Sequence, residues 1–258
     1  QQALNEYIVM YNNTKGPIDY AVSGRIKKLD KVVTVLHTND EHGRAMAELN
    51  KGVPQGMGYV SSLIKAERAK NPNVLLFSAG DLVQGNSFAF YYRNAPGATP
   101  GGSTALPNPM IAVLNALHYD AATFGNHEFN FGPASFHNYQ TQSTFPWLAG
   151  NLHDSGAYGV DYSKVIEYKT FAVDGMKVGV LGMTNPRVPS YELPSNIPGL
   201  TFEGGYETAV RVLPKVQAEN PDLVVSIQHL GYAPYEGSRA EDTDVFVAEN
   251  VPGIDVLI

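Results

Sequence analysis

The sequence predicts an α/β fold, and three observations carry that expectation. Short apolar runs of strand length recur along the chain, helical segments with one apolar side fall between them, and several of the runs hand over to glycine, aspartate, asparagine or histidine. Alternation of this kind builds a largely parallel sheet with helices on its faces. With 258 residues and 43% hydrophobic content, the chain suffices for one large domain or two small ones, and needs no covalent staples.

Taken in order, residues 1–30 hold Tyr7-Ile8-Val9-Met10-Tyr11 and Ala21-Val22-Ser23-Gly24-Arg25-Ile26 around a turn-rich Asn12 to Pro17, and read as a small extension or the tail of an upstream module. The domain proper is expected over 31–258. Its first strand, Val32 to Leu36, delivers His37-Thr38-Asn39-Asp40-Glu41-His42-Gly43 at its end. Gly58 to Lys70 has helical spacing, with Val60, Leu63 and Ile64 assigned to the apolar side. Asn71-Pro72 stops that helix, and Val74 to Ser78 forms a second buried strand that ends in Ala79-Gly80-Asp81. Asn94 to Pro109, rich in Gly, Pro, Ser and Thr, reads as a long exposed loop, a lid or an insertion. A compact helix, Met110 to Leu117, leads into the short strand Ala121 to Phe124 and then Gly125-Asn126-His127-Glu128-Phe129. Further strands are expected at Phe145 to Ala149, Lys177 to Leu181 and Leu223 to Ile227, the last followed by Gln228-His229-Leu230-Gly231. Tyr206 to Glu219 reads as a helix despite Pro214, and Val245 to Asn250 as another. The final Ile254 to Ile258 reads as a buried strand, so the chain is expected to be a fragment of a longer protein.

Composition narrows the chemistry. Without cysteine, any metal must be held by His, Asp, Glu or Asn. A formal charge of -7 argues against a nucleic-acid polymer as partner, yet permits small phosphorylated substrates bound through cations. No apolar run has bilayer-spanning length, and Gln1-Gln2-Ala3-Leu4 lacks the features of a signal peptide, so a mature or trimmed product is expected.

Four strand ends thus present Asp40 with His42, then Asp81, then Asn126 with His127, then His229, at positions a core does not require. In open α/β sheets ligands bind at the carboxyl ends of strands. One carboxylate there can bridge two cations, with Asp40 and His42 on one and Asn126 and His229 on the other. The mixed imidazole and oxygen set suits Zn, Mn or Fe better than Ca or Mg.

The ordered motifs Leu36 to Gly43, Gly80-Asp81, Gly125 to Phe129 and Gln228 to Gly231 resemble those of the 5'-nucleotidase family of metallophosphoesterases, from about Val32 to the last residue. The resemblance implies a four-layer α/β/β/α sandwich with a dinuclear metal centre, followed in the family by a separate nucleoside-binding domain. It implies that Asp81 bridges the metals, with Asp40, His42, Asn126 and His229 as the other ligands. His127 is then expected beside the phosphate, donating to it and helping the leaving oxygen depart. The substrate would be a nucleotide or another small phosphoester, and the location extracytoplasmic, as is usual in the family.

Two departures from the family pattern qualify the expectation. The family completes its site with a Gly-His-x-His-like motif after the strand that here ends the sequence, so each metal is expected to lack one ligand and the chain as given to bind metal weakly. Many 5'-nucleotidases also carry an aspartate three residues after the catalytic histidine, where this chain has Asn130. The Asn-Phe/Tyr-Gly form resembles the 2',3'-cyclic-nucleotide 2'-phosphodiesterase branch, which also cleaves 3'-nucleotides, whereas Asn39 to Gly43 resembles the 5'-nucleotidase branch. A sugar-nucleotide or sulfur-ester hydrolase and a non-catalytic binding module are the competing readings.

Other polar and aromatic residues receive structural assignments. His37 reads as a hydrogen-bonded core residue, His118, His137 and His153 as surface or structural histidines, Asp120 and Asp154 as turn residues, and Glu128 as fixing its loop through backbone contacts. Phe88, Phe90, Tyr91 and Tyr92 read as core or lid packing rather than a pocket wall.

Overall fold

In the computed structural model the described residues are 32–93, 107–232, 234 and 238–258. Residues 1–30 and the 94–106 part of the expected loop lie outside them. The first half runs β1 (Thr34–Thr38), an exposed hairpin of β2 (Glu48–Asn50) and β3 (Val53–Gln55), α1 (Met57–Lys70), β4 (Val74–Ser78), α2 (Ser87–Tyr91), α3 (Pro109–Ala116) and β5 (Ala121–Ala122). It continues through a 3-10 turn at His127–Phe129 to α4 (Gly132–Gln142), β6 (Trp147–Leu148), β7 (Leu152–Asp154) and β8 (Val165–Ile166). The second half comprises β9 (Tyr168–Val173), β10 (Met176–Met183), α5 (Val188–Tyr191), β11 (Leu200–Phe202), α6 (Gly205–Ala218), β12 (Leu223–Gln228), α7 (Asp244–Asn250) and β13 (Val256–Leu257).

The strands form two main sheets. β1-β4-β5-β6-β8 pair in parallel throughout, while β13-β12-β10-β9 is parallel apart from the antiparallel β9–β10 hairpin. Helices α1, α3 and α4 cover the outer face of the first sheet, where Met57, Ile64, Met110, Ile111, Leu114, Phe136 and Tyr139 pack with Leu76, Ala122 and Trp147. Helices α6 and α7 cover the second through Val212, Leu213, Val216 and Val247 against Leu181 and Val224. The inner faces meet where the Phe77 ring lies 5.9 Å from that of Phe171, and the Gly150 N–H donates to the Gly182 carbonyl at 2.8 Å. The result is a four-layer α/β/β/α sandwich. Each fully buried Leu, Ile or Phe in the two clusters contributes about 1.5–3 kcal/mol, upper estimates because the unfolded chain is not fully extended.

Four local expectations need correction. Leu63 is 68% exposed, because the buried stripe of α1 runs through Met57 and Ile64 with Val60 between them, and Leu63 falls on its flank. His37 is exposed and has no place in the core: β1 is the edge strand of its sheet, and the face from which His37 projects borders an open cleft. Partial burial of the ring still holds its pKa below the usual histidine value. The α2 aromatics are likewise surface residues, with Phe88, Phe90 and Tyr91 all exposed on a five-residue helix. Asn108 begins α3 rather than closing a loop, its side chain accepting from Met110 N and Ile111 N. Among the described residues no helix is long and apolar enough to cross a membrane.

Candidate metal centre

The parallel register sets the carboxyl ends of β1, β4 and β5 side by side, with Thr38 opposite Ser78 and Ser78 opposite Ala122. Beyond them the chain continues as paired loops: Asp40 N–H donates to Gly80 O at 3.0 Å, His42 N–H to Asp81 O at 3.0 Å, and Gly43 N–H to Leu82 O at 2.7 Å. Asp40, His42 and Asp81 all adopt left-handed backbone, at φ of 55°, 48° and 61°. Non-glycine residues rarely occupy this region, and strained residues of this kind cluster where a site is being shaped.

The loop after β4 is clamped from beneath by Glu128. This fully buried carboxylate accepts from Asp81 N at 2.9 Å, Leu82 N at 2.6 Å, Val83 N at 3.3 Å and Gly125 N at 2.6 Å, so it fixes its loop through backbone contacts as expected. Burial and the nearby Asp81 charge raise its pKa, and the backbone donors oppose them.

Asp81 sits at the middle of the cluster and is 3% exposed. Its Oδ1 accepts from His127 N at 2.8 Å, and its Oδ2 lies 3.3 Å from His229 Nε2. Burial works against its ionisation, but the hydrogen bond and charge of His229 and the His127 N–H outweigh that effect and hold its pKa below the usual aspartate value. For His229 burial is again the opposing effect, and Asp81 overcomes it, raising the imidazole to about 9. His229 Nδ1–H donates to Ala79 O at 2.6 Å, and His42 Nδ1–H donates to Gln84 O at 2.9 Å. Both rings therefore turn Nε2 inward, the arrangement that outer-shell carbonyls impose on metal-binding histidines.

The candidate ligand atoms of Asp40, Asp81 and His229 lie within 4.8 Å of one another, as do those of His42, Asp81 and His127. Asp81 belongs to both triads, so this donor set of carboxylates and inward-turned imidazoles fits a pair of divalent cations sharing one carboxylate. Asp40 Oδ1 also stands 3.6 Å from His42 Nε2. Asn126 borders the adjoining cleft of about 410 Å³ with Asp40, Asn185, Gln228 and His229. His127, expected beside the phosphate, also supplies a candidate ligand atom to the second triad, its ring 5.2 Å from that of His42.

Behind His127, Nδ1 is 2.5 Å from Asn130 Oδ1, and Asn130 Nδ2–H donates to Glu192 Oε2 at 2.5 Å. Glu192, at the end of α5, has no motif around it and is 62 residues from Asn130, so nothing local in the sequence marks it.

Gly125 lies so close to Asp81 that a methyl group there would overlap Oδ1 and stand 2.5 Å from Asp81 N. Gly125→Ala is expected to destabilise the fold by about 1–3 kcal/mol through overpacking and to weaken cation binding about 10–100-fold. Urea denaturation and cation titration would check both; an unchanged cation affinity would show that Asp81 can shift without harm.

An α/β/β/α sandwich whose strand ends gather carboxylates and inward-turned imidazoles defines the class, a domain built to hold divalent cations at a cleft. Residues 33–198 match the calcineurin-like phosphoesterase family, and the chain belongs to that family, whose members are metal-dependent phosphoric ester hydrolases. It is 30% identical over 240 residues to the trifunctional nucleotide phosphoesterase protein YfkN of Bacillus subtilis, covering 88% of this chain and 16% of that protein. The crystal structure of calcineurin-like phosphoesterase YfkN from that organism superposes with a TM-score of 0.69 at 27% identity, covering 87% of this chain and 70% of the other. The 2',3'-cyclic-nucleotide 2'-phosphodiesterase/3'-nucleotidase of Haemophilus influenzae is 30% identical over 210 residues, covering 79% of this chain and 31% of that protein. Human 5'-nucleotidase is 29% identical over 236 residues, covering 88% and 37%. The chain therefore spans a sixth to a little over a third of the length of these curated relatives.

Proposed function

We propose that residues 31–258 form the catalytic domain of a nucleotide phosphoesterase that works with two divalent cations, Zn, Mn or Fe, and releases phosphate from a nucleotide. The observation that carries this reading is Asp81, shared by both triads. Asp40, His42, Asn126 and His229 complete the proposed ligand set around it, and His127, the third member of one triad, is assigned to proton transfer instead. When bound, the cations supply Lewis-acid stabilisation of charge building on the oxygens around phosphorus and lower the pKa of water at the site.

The chain's own residues prepare that chemistry. Glu128 fixes the loop that carries Asp81, while the carbonyls of Ala79 and Gln84 set the tautomers of His229 and His42. His127, anchored by its N–H to Asp81 and by Nδ1 to Asn130, is left with Nε2 to exchange a proton with the substrate. The negative charge of the chain is no obstacle, because the cations' own charge is what an anionic substrate meets.

A second reading, hydrolysis of 2',3'-cyclic nucleotides and 3'-nucleotides, is favoured by Asn130 in place of the aspartate of many 5'-nucleotidases. By analogy with the family we place the protein outside the cytoplasm, and we expect nucleoside recognition to reside in a separate domain of the full protein. Side-by-side assay of AMP, 2',3'-cyclic AMP, a UDP-sugar and an aryl phosphate with the metal-loaded, full-length enzyme tests the proposal. Nucleotide turnover that disappears on chelation and returns with Mn or Zn is the expected result. Turnover of the aryl phosphate alone would defeat nucleotide specificity, and no turnover at all would leave the binding-module reading standing.

A further inference from the structure

Glu192 is 9% exposed, and three donors converge on its carboxylate. Oε2 accepts from Asn130 Nδ2 at 2.5 Å, and Oε1 accepts from Leu193 N at 2.7 Å and from Asn196 Nδ2 at 3.0 Å. Asn196 Nδ2 also donates to the Asn130 carbonyl at 2.9 Å, so Asn130 is held at both backbone and side chain.

An ionised carboxylate only accepts hydrogen bonds, whereas an asparagine amide has one accepting and one donating end. Glu192 therefore obliges Asn130 to turn Nδ2 toward it, which leaves Oδ1 facing His127 at 2.5 Å. An acceptor there requires Nδ1 of His127 to carry a hydrogen. The orientation of the imidazole beside the candidate metal ligands is thus decided two side chains away, by a residue on the far side of Asn130.

We propose that Glu192 is a positioning residue for catalysis: acting through Asn130, it fixes the His127 tautomer and reserves Nε2 for the substrate. The role rests on the phosphoesterase reading of His127 given above. Asn130 with Glu192 then does in two residues what a single aspartate after the histidine would do in one, and the two solutions are mutually exclusive. An aspartate at 130 would set its carboxylate against that of Glu192.

The pairing makes a sharp expectation about substitutions. In Glu192→Gln, a glutamine oxygen that keeps Leu193 N and Asn196 Nδ2 must turn its own NH₂ toward Asn130. Asn130 then flips, and His127 loses its acceptor. In Asn130→Asp alone, two carboxylates face each other. In the double variant Asn130→Asp/Glu192→Gln, the new carboxylate accepts both from His127 Nδ1–H and from the NH₂ of the introduced glutamine, restoring every hydrogen bond with the roles exchanged.

The test is steady-state kinetics on the metal-loaded, full-length enzyme with the nucleotide it hydrolyses best, together with ¹⁵N NMR of the His127 ring in the zinc-loaded protein. Each single variant is expected to lower kcat about tenfold with KM within about twofold, and the double variant to recover to within about threefold of the parent. The Nδ1–H tautomer should dominate in the parent and the double variant and be lost in Glu192→Gln. Asn130→Asp alone matching or exceeding the parent, or a double variant no better than the worse single, would overturn the proposal. If the parent hydrolyses no phosphoester, the functional reading fails, and the NMR comparison alone decides whether Glu192 sets the ring; an unchanged tautomer in Glu192→Gln overturns it in either case.

Discussion

Replacing Asp81 by asparagine in the full-length protein is expected to abolish high-affinity cation binding and with it phosphoester turnover. Asp81 is the one side chain in both candidate triads, so its loss affects both cations. Asparagine keeps an oxygen to accept from the His127 N–H but brings no charge, and it offers one accepting atom where two are needed. Removing an outer-shell partner typically costs 10–100-fold in metal affinity, and loss of a shared ligand should exceed about 100-fold. Metal content after dialysis, with kcat on the same sample, checks this. Two retained cations per chain at parental kcat would remove Asp81 from the centre. The metal-free protein gives a second readout. There the Asp81 carboxylate raises His229 to about 9 against the effect of burial. A raised histidine pKa contributes stability that is complete below its unfolded value near 6.5 and is lost as pH climbs through about 9. That dependence should shrink in Asp81→Asn, where the largest raising influence on His229 is lost and burial is opposed only by the Ala79 carbonyl and the Glu128 charge.

The second large effect is expected at Glu128. Its two oxygens serve four backbone donors in a site sealed from water, Oε2 those of Asp81 and Gly125 and Oε1 those of Leu82 and Val83. Glutamine has the same shape, yet its NH₂ must face one of these pairs. Each buried donor left without an acceptor costs about 1–3 kcal/mol, so Glu128→Gln should lose about 2–6 kcal/mol. Against a total stability of about 5–15 kcal/mol for a typical domain, that is a large share. Denaturant unfolding of the metal-free protein measures it directly. A loss below about 0.5 kcal/mol would mean that the donors find other partners and that Glu128 does not hold the loop.

The strands and the ligand types were legible in the sequence because both are local properties. Runs such as Val74 to Ser78 and Leu223 to Gln228 are mostly apolar over strand length because parallel strands are covered on both faces. The residues that follow them are polar because strand ends open to a cleft. Elements with weaker signals were not legible. The helix at Gly132–Gln142 is mostly polar in sequence and is defined by burying Phe136 and Tyr139. The short β7 and β11 exist because each supplies the other's hydrogen bonds.

The sequence by itself determined the α/β class, the order of the ligand-bearing strand ends and the resemblance of their motifs to a phosphoesterase family, since each is written in a few consecutive residues. Only the tertiary structure decided that Asp81 is shared by two triads, that His37 faces an open edge, and that Glu192 stands behind Asn130. The reason is the span of the contacts involved. His229 reaches the Ala79 carbonyl across 150 residues, and Asn130 meets Glu192 across 62. Chemistry carried by one residue's type survives in a linear reading, whereas chemistry set by which acceptor faces which donor appears only once the sheets bring distant loops together.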